Sequence, residues 1–457
     1  MATTQPLPAA PRRADFPDGF RWGCATSAYQ IEGGVDADGR GESIWDRFCL
    51  ASGRIRDGSS GAIACDHYHR WREDLDLARG LGLNAYRFSI AWPRVFPSGR
   101  GPAANAAGLD FYSRLVDGLL ERGIEPWPTL YHWDLPQALQ DRGGWHSRET
   151  VEAFADYAAC VGRVLGDRVR NFTTHNEPWC SAFLGHREGS HAPGLQGWQT
   201  ALQACHHILL SHGRAVEALR AEAGGARAGI ALSLHPCRPA TDSVADALAV
   251  ERHDGLRNRW FLDPLFGRGY PADTWQRFGC NVPIVLEGDL ATIAASTDFL
   301  GINYYFPERI AAAPGEDPLG VKVVEDAAVE RTATGWEVEP DGLVELLDRV
   351  RRDYAPAEIY LTENGSCYED TVEPDGSIAD GERRRYLQRH LSAVRESIVR
   401  GVPLKGYFAW SLLDNFEWAE GYTRRFGLTH VDFATQQRTL KESGHWYREF
   451  LRPTTHD

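Results

Sequence analysis

One unit recurs along this chain: a helical pattern, a glycine, then a short apolar run. "LARGLGLNAYRFSIAW" shows it, and "LLERGIEPWPTLYHW" repeats it. So do "VLGDRVRNFTTHNEP", "AEAGGARAGIALSLHP" and "ESIVRGVPLKGYFAWSLLDN". A glycine at that point fits a left-handed helix cap. The run after it is apolar at odd and even positions alike, as in a parallel strand covered by helices on both sides.

Counting such runs predicts eight strands, at roughly 20–28, 84–92, 125–133, 171–178, 227–235, 298–305, 358–364 and 404–411. Helical patterns separate them, among them Trp71 to Leu81, Ala107 to Arg122 and Thr150 to Leu165. Eight alternating strands and helices predict an α/β fold, a (β/α)8 TIM barrel. A doubly wound open sheet would carry a GxGxxG turn after its first strand, and "GFRWGCATSAYQIEGG" does not supply one. No Pro/Ser-rich linker interrupts the chain, so one catalytic domain is expected over 15–452, behind a flexible tail at 1–14. Long stretches follow several strands, at about 30–66, 179–205, 306–340, 366–382 and 412–440. They belong to the C-terminal face of the barrel, where such enzymes build their sites.

Composition narrows the partners. The 457 residues are 43% hydrophobic and 25% charged, within the globular range. A formal net charge of −14 argues against nucleic acid or an anionic membrane surface. No apolar run is long enough to span a bilayer, and the N-terminal residues lack a signal-type apolar segment. The nine cysteines are irregularly spaced without a CxxC, which fits free thiols in a reducing cytoplasm. The oligomeric state is left open, a homo-oligomer included.

Chemistry collects where the strands end. The first run leads to Gln30 and Glu32, and the second holds Arg87. The third ends in His132, Trp133 and Asp134, and the fourth in Asn176, Glu177 and Trp179. The sixth ends in Asn303 and Tyr305, the seventh in Glu363 within "EIYLTENG", and the eighth leads from Trp410 to Glu417 and Trp418. Strands four and seven lie nearly across an eight-stranded barrel, so Glu177 and Glu363 can face each other over its mouth. Two carboxylates flanking a bound sugar are the machinery of glycoside hydrolysis. Arg87, alone in an apolar strand, needs a buried carboxylate, and Glu363 is the natural one. His132 and Asp134 lack a third metal ligand nearby, so no metal and no cofactor is expected.

These motifs resemble the family 1 glycoside hydrolases, the β-glucosidases and their relatives. "FRWGCATSAYQIEG", "YRFSIAW", "YHWDLP", "HNEPW", "GINYY", "LTENG" and "FAWSLLDNFEWAEGY" carry the resemblance in this order, from about Phe16 to Leu451. It implies a retaining β-glucosidase acting on cellobiose-like or aryl β-glucosides. Glu363 would be the nucleophile, supported by Arg87 and Tyr305, and Glu177 the acid and then the base. Gln30, His132, Trp133, Asn176, Asn303, Tyr305, Trp410, Glu417, Trp418 and Phe426 would bind the sugar. Trp179, Leu184, His191 and Trp336 would line the aglycone entrance.

The resemblance also bounds the substrate. Members acting on 6-phosphorylated sugars place a serine at the Glu417 position, with a lysine soon after. Here "FEWAEGYTRRFG" has neither, and a carboxylate repels phosphate. A preference for β-galactosides or β-fucosides stays open, because one epimeric hydroxyl is a modest discrimination. A non-catalytic sugar-binding barrel is disfavoured by the intact Glu177, Glu363, Arg87 and Tyr305. His175, where the family usually has an apolar residue, alternates with Asn176 and should face away from the sugar, with an indirect influence on Glu177, through the groups between them, as its candidate role.

Overall fold

The computed structural model describes residues 11–452. Eight parallel strands close into a barrel: β1 Arg21–Ala25, β2 Ala85–Ser89, β3 Glu125–Tyr131, β4 Asn171–Asn176, β5 Arg227–Ser233, β6 Phe299–Asn303, β7 Ile359–Asn364 and β8 Leu404–Trp410. Each pairs with its neighbours in chain order, and β8 pairs with β1. All eight predicted runs are strands.

Helices connect them: α1 His67–Leu81, α2 Ala106–Glu121, α3 Arg148–Leu165, α4 Trp198–Glu222, α5 Val244–Asp254, α6 Pro340–Tyr354, α7 Gly381–Val399 and, after β8, α8 Glu442–Leu451. In α3 the Ser147 hydroxyl accepts the Glu149 backbone N–H as the N-cap. Val151, Phe154, Ala158, Val161 and Leu165 then recur at helical spacing and are buried as one stripe.

Four of the five glycines after a helical pattern have positive φ, Gly82, Gly123, Gly225 and Gly401. Gly166 does not, with φ −70. It is small for another reason: a Cβ there would stand 2.2 Å from Ala223 Cβ, so it lets the end of α3 approach the chain that leaves α4.

The barrel interior is more aromatic than the apolar runs imply. Trp127 contacts Phe299, Tyr360 and Phe408 with ring centroids 5.4, 4.6 and 5.5 Å away. These four rings, with Ala25 and Ala85, form the floor beneath the site.

The long stretches on the C-terminal face hold more structure than expected. Cys180–Glu188 is a wide-turn π-helix, inside a stretch expected as loop, and α4 begins at Trp198. Glu308–Ala312 pairs with Cys237–Pro239 and Val321–Val324 in a separate three-stranded sheet. These strands are short and half-buried, so their pattern is weak. Of the expected tail 1–14, residues 1–10 lie outside the described residues. Arg13–Asp15 form a single 3-10 turn, and Arg13 Nη1 donates to Leu451 O at 2.5 Å.

Candidate active site

Two local distortions aim the two glutamates. Between Thr173 and Asn176, β4 holds one residue more than its partner β5. Between Leu361 and Glu363, β7 holds one more than β6. Each is a β-bulge, which re-aims the side chains that follow it. On β4 the consequence is visible: the consecutive residues Thr174 and His175 both turn to α4, bonding His212 at 2.7 Å and Ser211 at 2.9 Å. Asn176 and Glu177 then turn inward. His175 thus faces away from the sugar side, as its sequence position implied. Its Nε2 bonds Ser211 and its ring packs on Phe154, so it makes no hydrogen bond to Glu177.

A cavity of about 440 Å3 opens above the aromatic floor, within the range of small-ligand sites. Glu177 and Glu363 both line it. Arg87 Nη1 donates to Glu363 Oε1 at 2.6 Å, and the Tyr305 hydroxyl donates to Oε2 at 2.7 Å. Arg87 Nη2 donates to Asn176 Oδ1 at 2.7 Å. Asn303 Nδ2 bridges Asn176 Oδ1 at 2.9 Å and Glu177 Oε1 at 2.8 Å. The Cys180 thiol donates to Glu177 Oε2 at 2.9 Å. One continuous network therefore joins the two carboxylates.

The electrostatics follow from burial. Burial pushes Glu363 up to about 7, with Glu177 pushing the same way and Arg87 and Tyr305 pulling it down. Burial, with the charges of Glu363 and Glu177, raises Glu417 to about 8. His132 is pushed well below the usual histidine range by burial and then by Arg87, so it is neutral. Asn176 Nδ2 donates to its Nε2 at 3.1 Å, which leaves the proton on Nδ1, and Nδ1 has no partner among the described residues.

Strain is concentrated here. Among the described residues eight non-glycine residues have positive φ, and three of them, Trp133 (80), Glu177 (46) and Trp418 (51), line the cavity. Such conformations cost about 1–3 kcal/mol each and persist where the surroundings enforce them. Trp133 is held by its Nε1 bond to Asn176 O at 2.9 Å and by Trp418, 4.5 Å away.

The cavity wall brings together His132, Trp133, Glu177, Tyr305, Glu363, Trp410, Glu417, Trp418 and Phe426, and at its outer part Trp179, Leu184, His191 and Trp336. Gln30, Arg87, Asn176 and Asn303 are fully buried behind that wall. Asn303 departs from the expectation that it binds sugar. Its amide nitrogen serves Asn176 and Glu177, and its oxygen accepts from Thr362 at 2.6 Å. Gln30 is likewise engaged, donating to Asn415 Oδ1 at 2.9 Å and Phe416 O at 3.0 Å, with Glu417 at 3.4 Å. Asp134 does not join His132. It lies in a separate space with Glu32 and Arg40, and burial raises it to about 8.

Sequence reasoning missed one side of the wall, made by Ser233, His235, Arg257, Phe306 and Glu308. The available signal was His235 in "LSLHP", the polar group just beyond the fifth strand. Arg257 sits in a wide helical turn far from any motif, with no signal of its own.

A (β/α)8 barrel with two buried, network-linked carboxylates at the C-terminal ends of its strands defines a glycoside hydrolase. Residues 12–455 match the model of glycosyl hydrolase family 1, and the chain belongs to that family. It is 48% identical over 436 residues to a β-glucosidase of Agrobacterium sp., covering 95% of each chain. The family 1 β-glucosidase structure from Thermotoga maritima superposes with TM-score 0.93 at 43% identity, covering 97% of this chain and 98% of that one. The AHE enzyme from Alicyclobacillus herbarius superposes with TM-score 0.92 at 50% identity, covering 95% and 97%.

Proposed function

We propose that the protein is a retaining β-glucosidase that releases terminal β-D-glucosyl residues from cellobiose-like or aryl β-glucosides. The observation carrying this is the asymmetric setting of the two carboxylates. Glu363 accepts from a guanidinium and a phenol, which hold negative charge on it, whereas Glu177 has only an amide and a thiol as donors. Glu363 is the nucleophile and Glu177 the proton donor.

In the first step a Glu363 oxygen bonds the anomeric carbon as the glycosidic C–O bond breaks. The Glu177 proton moves to the leaving oxygen. Arg87 and Tyr305 stay hydrogen-bonded to the new ester. In the second step Glu177, now a carboxylate, takes a proton from water. The water oxygen bonds the anomeric carbon and Glu363 leaves. Two inversions give net retention.

The other polar groups serve the sugar. His132 and Glu417 both line the cavity and offer polar groups to the sugar hydroxyls. Trp410 and Trp418, each stacked beside the His132 ring at 5.9 Å, supply flat apolar faces for sugar C–H groups. Trp179, Leu184, His191 and Trp336 receive the aglycone. The relatives' names favour glucose as the glycone, and the bifunctional β-D-glucosidase/β-D-fucosidase of Bifidobacterium breve, 47% identical, keeps fucose beside it. The nine cysteines are all free, which supports a cytoplasmic location. No helix of the described residues is long and apolar enough to cross a membrane.

The test is Glu363→Gly, assayed on 4-nitrophenyl β-glucoside with and without azide. Loss of turnover, with azide restoring release and giving the α-glucosyl azide, supports the assignment. Undiminished hydrolysis without azide sinks it.

A further inference from the structure

The outer part of the cavity contains a buried cation that the proposed reaction does not use. Arg257 lines the wall and is 4% exposed. Its guanidinium carbon sits 3.9 Å from the centre of the Trp179 ring. Its Nη2 donates to Ser233 Oγ at 3.1 Å. Its Nε lies 3.4 Å from Glu308 Oε1, and neither Nε nor Nη1 has a hydrogen-bond partner among the described residues. His235 stands beside it, with Nε2 3.3 Å from Ser233 Oγ and an unpartnered Nδ1.

A buried guanidinium N–H left without an acceptor is costly, so these groups call for an acceptor from outside the chain. Glu308 does not satisfy them. It is shared, accepting from His253 Nε2 at 2.6 Å as well as facing Arg257 and His235. The stack on Trp179 fixes the guanidinium plane against the ring that follows Glu177 by two residues.

We infer that Ser233, His235 and Arg257 form an anion-accepting subsite on the leaving-group side, which takes β-glucosides whose aromatic aglycone carries a carboxylate. This rests on the β-glucosidase reading of the same cavity. An aryl ring lying along Trp179 carries its ring substituent toward Arg257. A carboxylate there gains a charge-assisted hydrogen bond to Nη1, and a neutral ester gains a weaker one.

Two of the other carboxylates that line the cavity do not cancel this attraction. Glu417 is raised to about 8 and is uncharged at neutral pH. The charge on Glu363 is matched by Arg87 at 2.6 Å. Glu188, whose carboxyl also feels Arg257, is exposed to solvent and screened.

The experiment compares kcat/KM for 3- and 4-carboxyphenyl β-glucosides with their methyl esters, in the wild type, R257Q and R257K. The ester has the better phenol leaving group, so the wild-type acid-to-ester ratio reads recognition against that handicap. The expected ratio exceeds one for at least one ring position, and it falls about tenfold in R257Q, mainly through KM, with partial retention in R257K. Because acid and ester share the same protein, a general folding defect cancels in the ratio. A wild-type ratio below one at both positions overturns the inference without any variant. A ratio unchanged by R257Q overturns it as well. Failure of the wild type to hydrolyse the esters and 4-nitrophenyl β-glucoside contradicts the β-glucosidase reading, and the subsite falls with it.

Discussion

Arg87 and Glu363 form a fully buried ion pair across the barrel, Nη1 to Oε1 at 2.6 Å, with side-chain exposures of 1% and 4%. Removing one partner strands the other charge. Arg87→Met is expected to cost about 3–5 kcal/mol of stability, because Glu363 is then buried unpaired. In a Glu363→Gln background the same change costs less, by about 1–3 kcal/mol, since no charge is left to strand. Urea denaturation of the four proteins measures this coupling. Turnover of Arg87→Met falls by on the order of 10²-fold or more, as expected for loss of a preorganised charge partner.

The setting of Glu363 predicts an acid limit of activity. Burial raises its carboxyl to about 7, and only the carboxylate form can attack the anomeric carbon. The kcat/KM profile is therefore expected to fall as pH drops below about 7. The loss follows the nucleophile and not the leaving group, so 4-nitrophenyl and 2,4-dinitrophenyl β-glucosides are expected to share this acid limb. Parallel pH–rate profiles for the two substrates check this.

Asp134 supplies a stability test away from the chemistry. It is completely buried, both carboxyl oxygens lack a partner among the described residues, and burial raises it from 3.8 to about 8. Between those values the unfolded chain releases a proton that the folded one keeps. Stability is therefore lost as pH rises, by about 1.4 kcal/mol per pH unit from this group. Asp134→Asn removes that slope. Its advantage over the wild type is expected to grow between pH 5 and pH 8, read from denaturation midpoints at each pH. Equal pH dependence of the two proteins contradicts it.

Gly365 follows the proposed nucleophile by two residues and tolerates no side chain. A Cβ there would stand 1.9 Å from the Trp410 carbonyl oxygen. Gly365→Ala is expected to lower stability by about 1–3 kcal/mol or more and to disturb turnover, as the end of β7 is pushed off β8. Thermal denaturation and kcat measure the two effects.

The barrel was legible because its signal repeats. Eight apolar runs after helical patterns fix the strands whatever the loops do. Glu177 and Glu363 were legible because a charged group at the end of a buried strand is costly without a use. The Arg87–Glu363 pair followed from the same reasoning. The protein partners of Asn303 were not legible, because a polar residue at a rim looks the same whether it meets ligand or protein. Only its bonds to Asn176, Glu177 and Thr362 decide that. The bulges in β4 and β7 leave no mark in an apolar run, yet they turn Glu177 and Glu363 into the cavity. Gly166 was read as a cap, and it instead permits close packing, as Gly365 does at the end of β7. Arg257 was invisible because its partners Trp179, Ser233 and Glu308 come from separate parts of the chain.

The nucleophile is tested most directly by trapping it. Incubation with 2,4-dinitrophenyl 2-deoxy-2-fluoro-β-glucoside, followed by intact-mass and peptide-mass measurement, reads where the sugar bonds. One fluoroglucosyl group per chain, on the peptide containing Glu363, is the expected result, with activity lost in step with labelling. Label on a different residue, or no label from an enzyme that still turns over 4-nitrophenyl β-glucoside, would contradict the role given to Glu363.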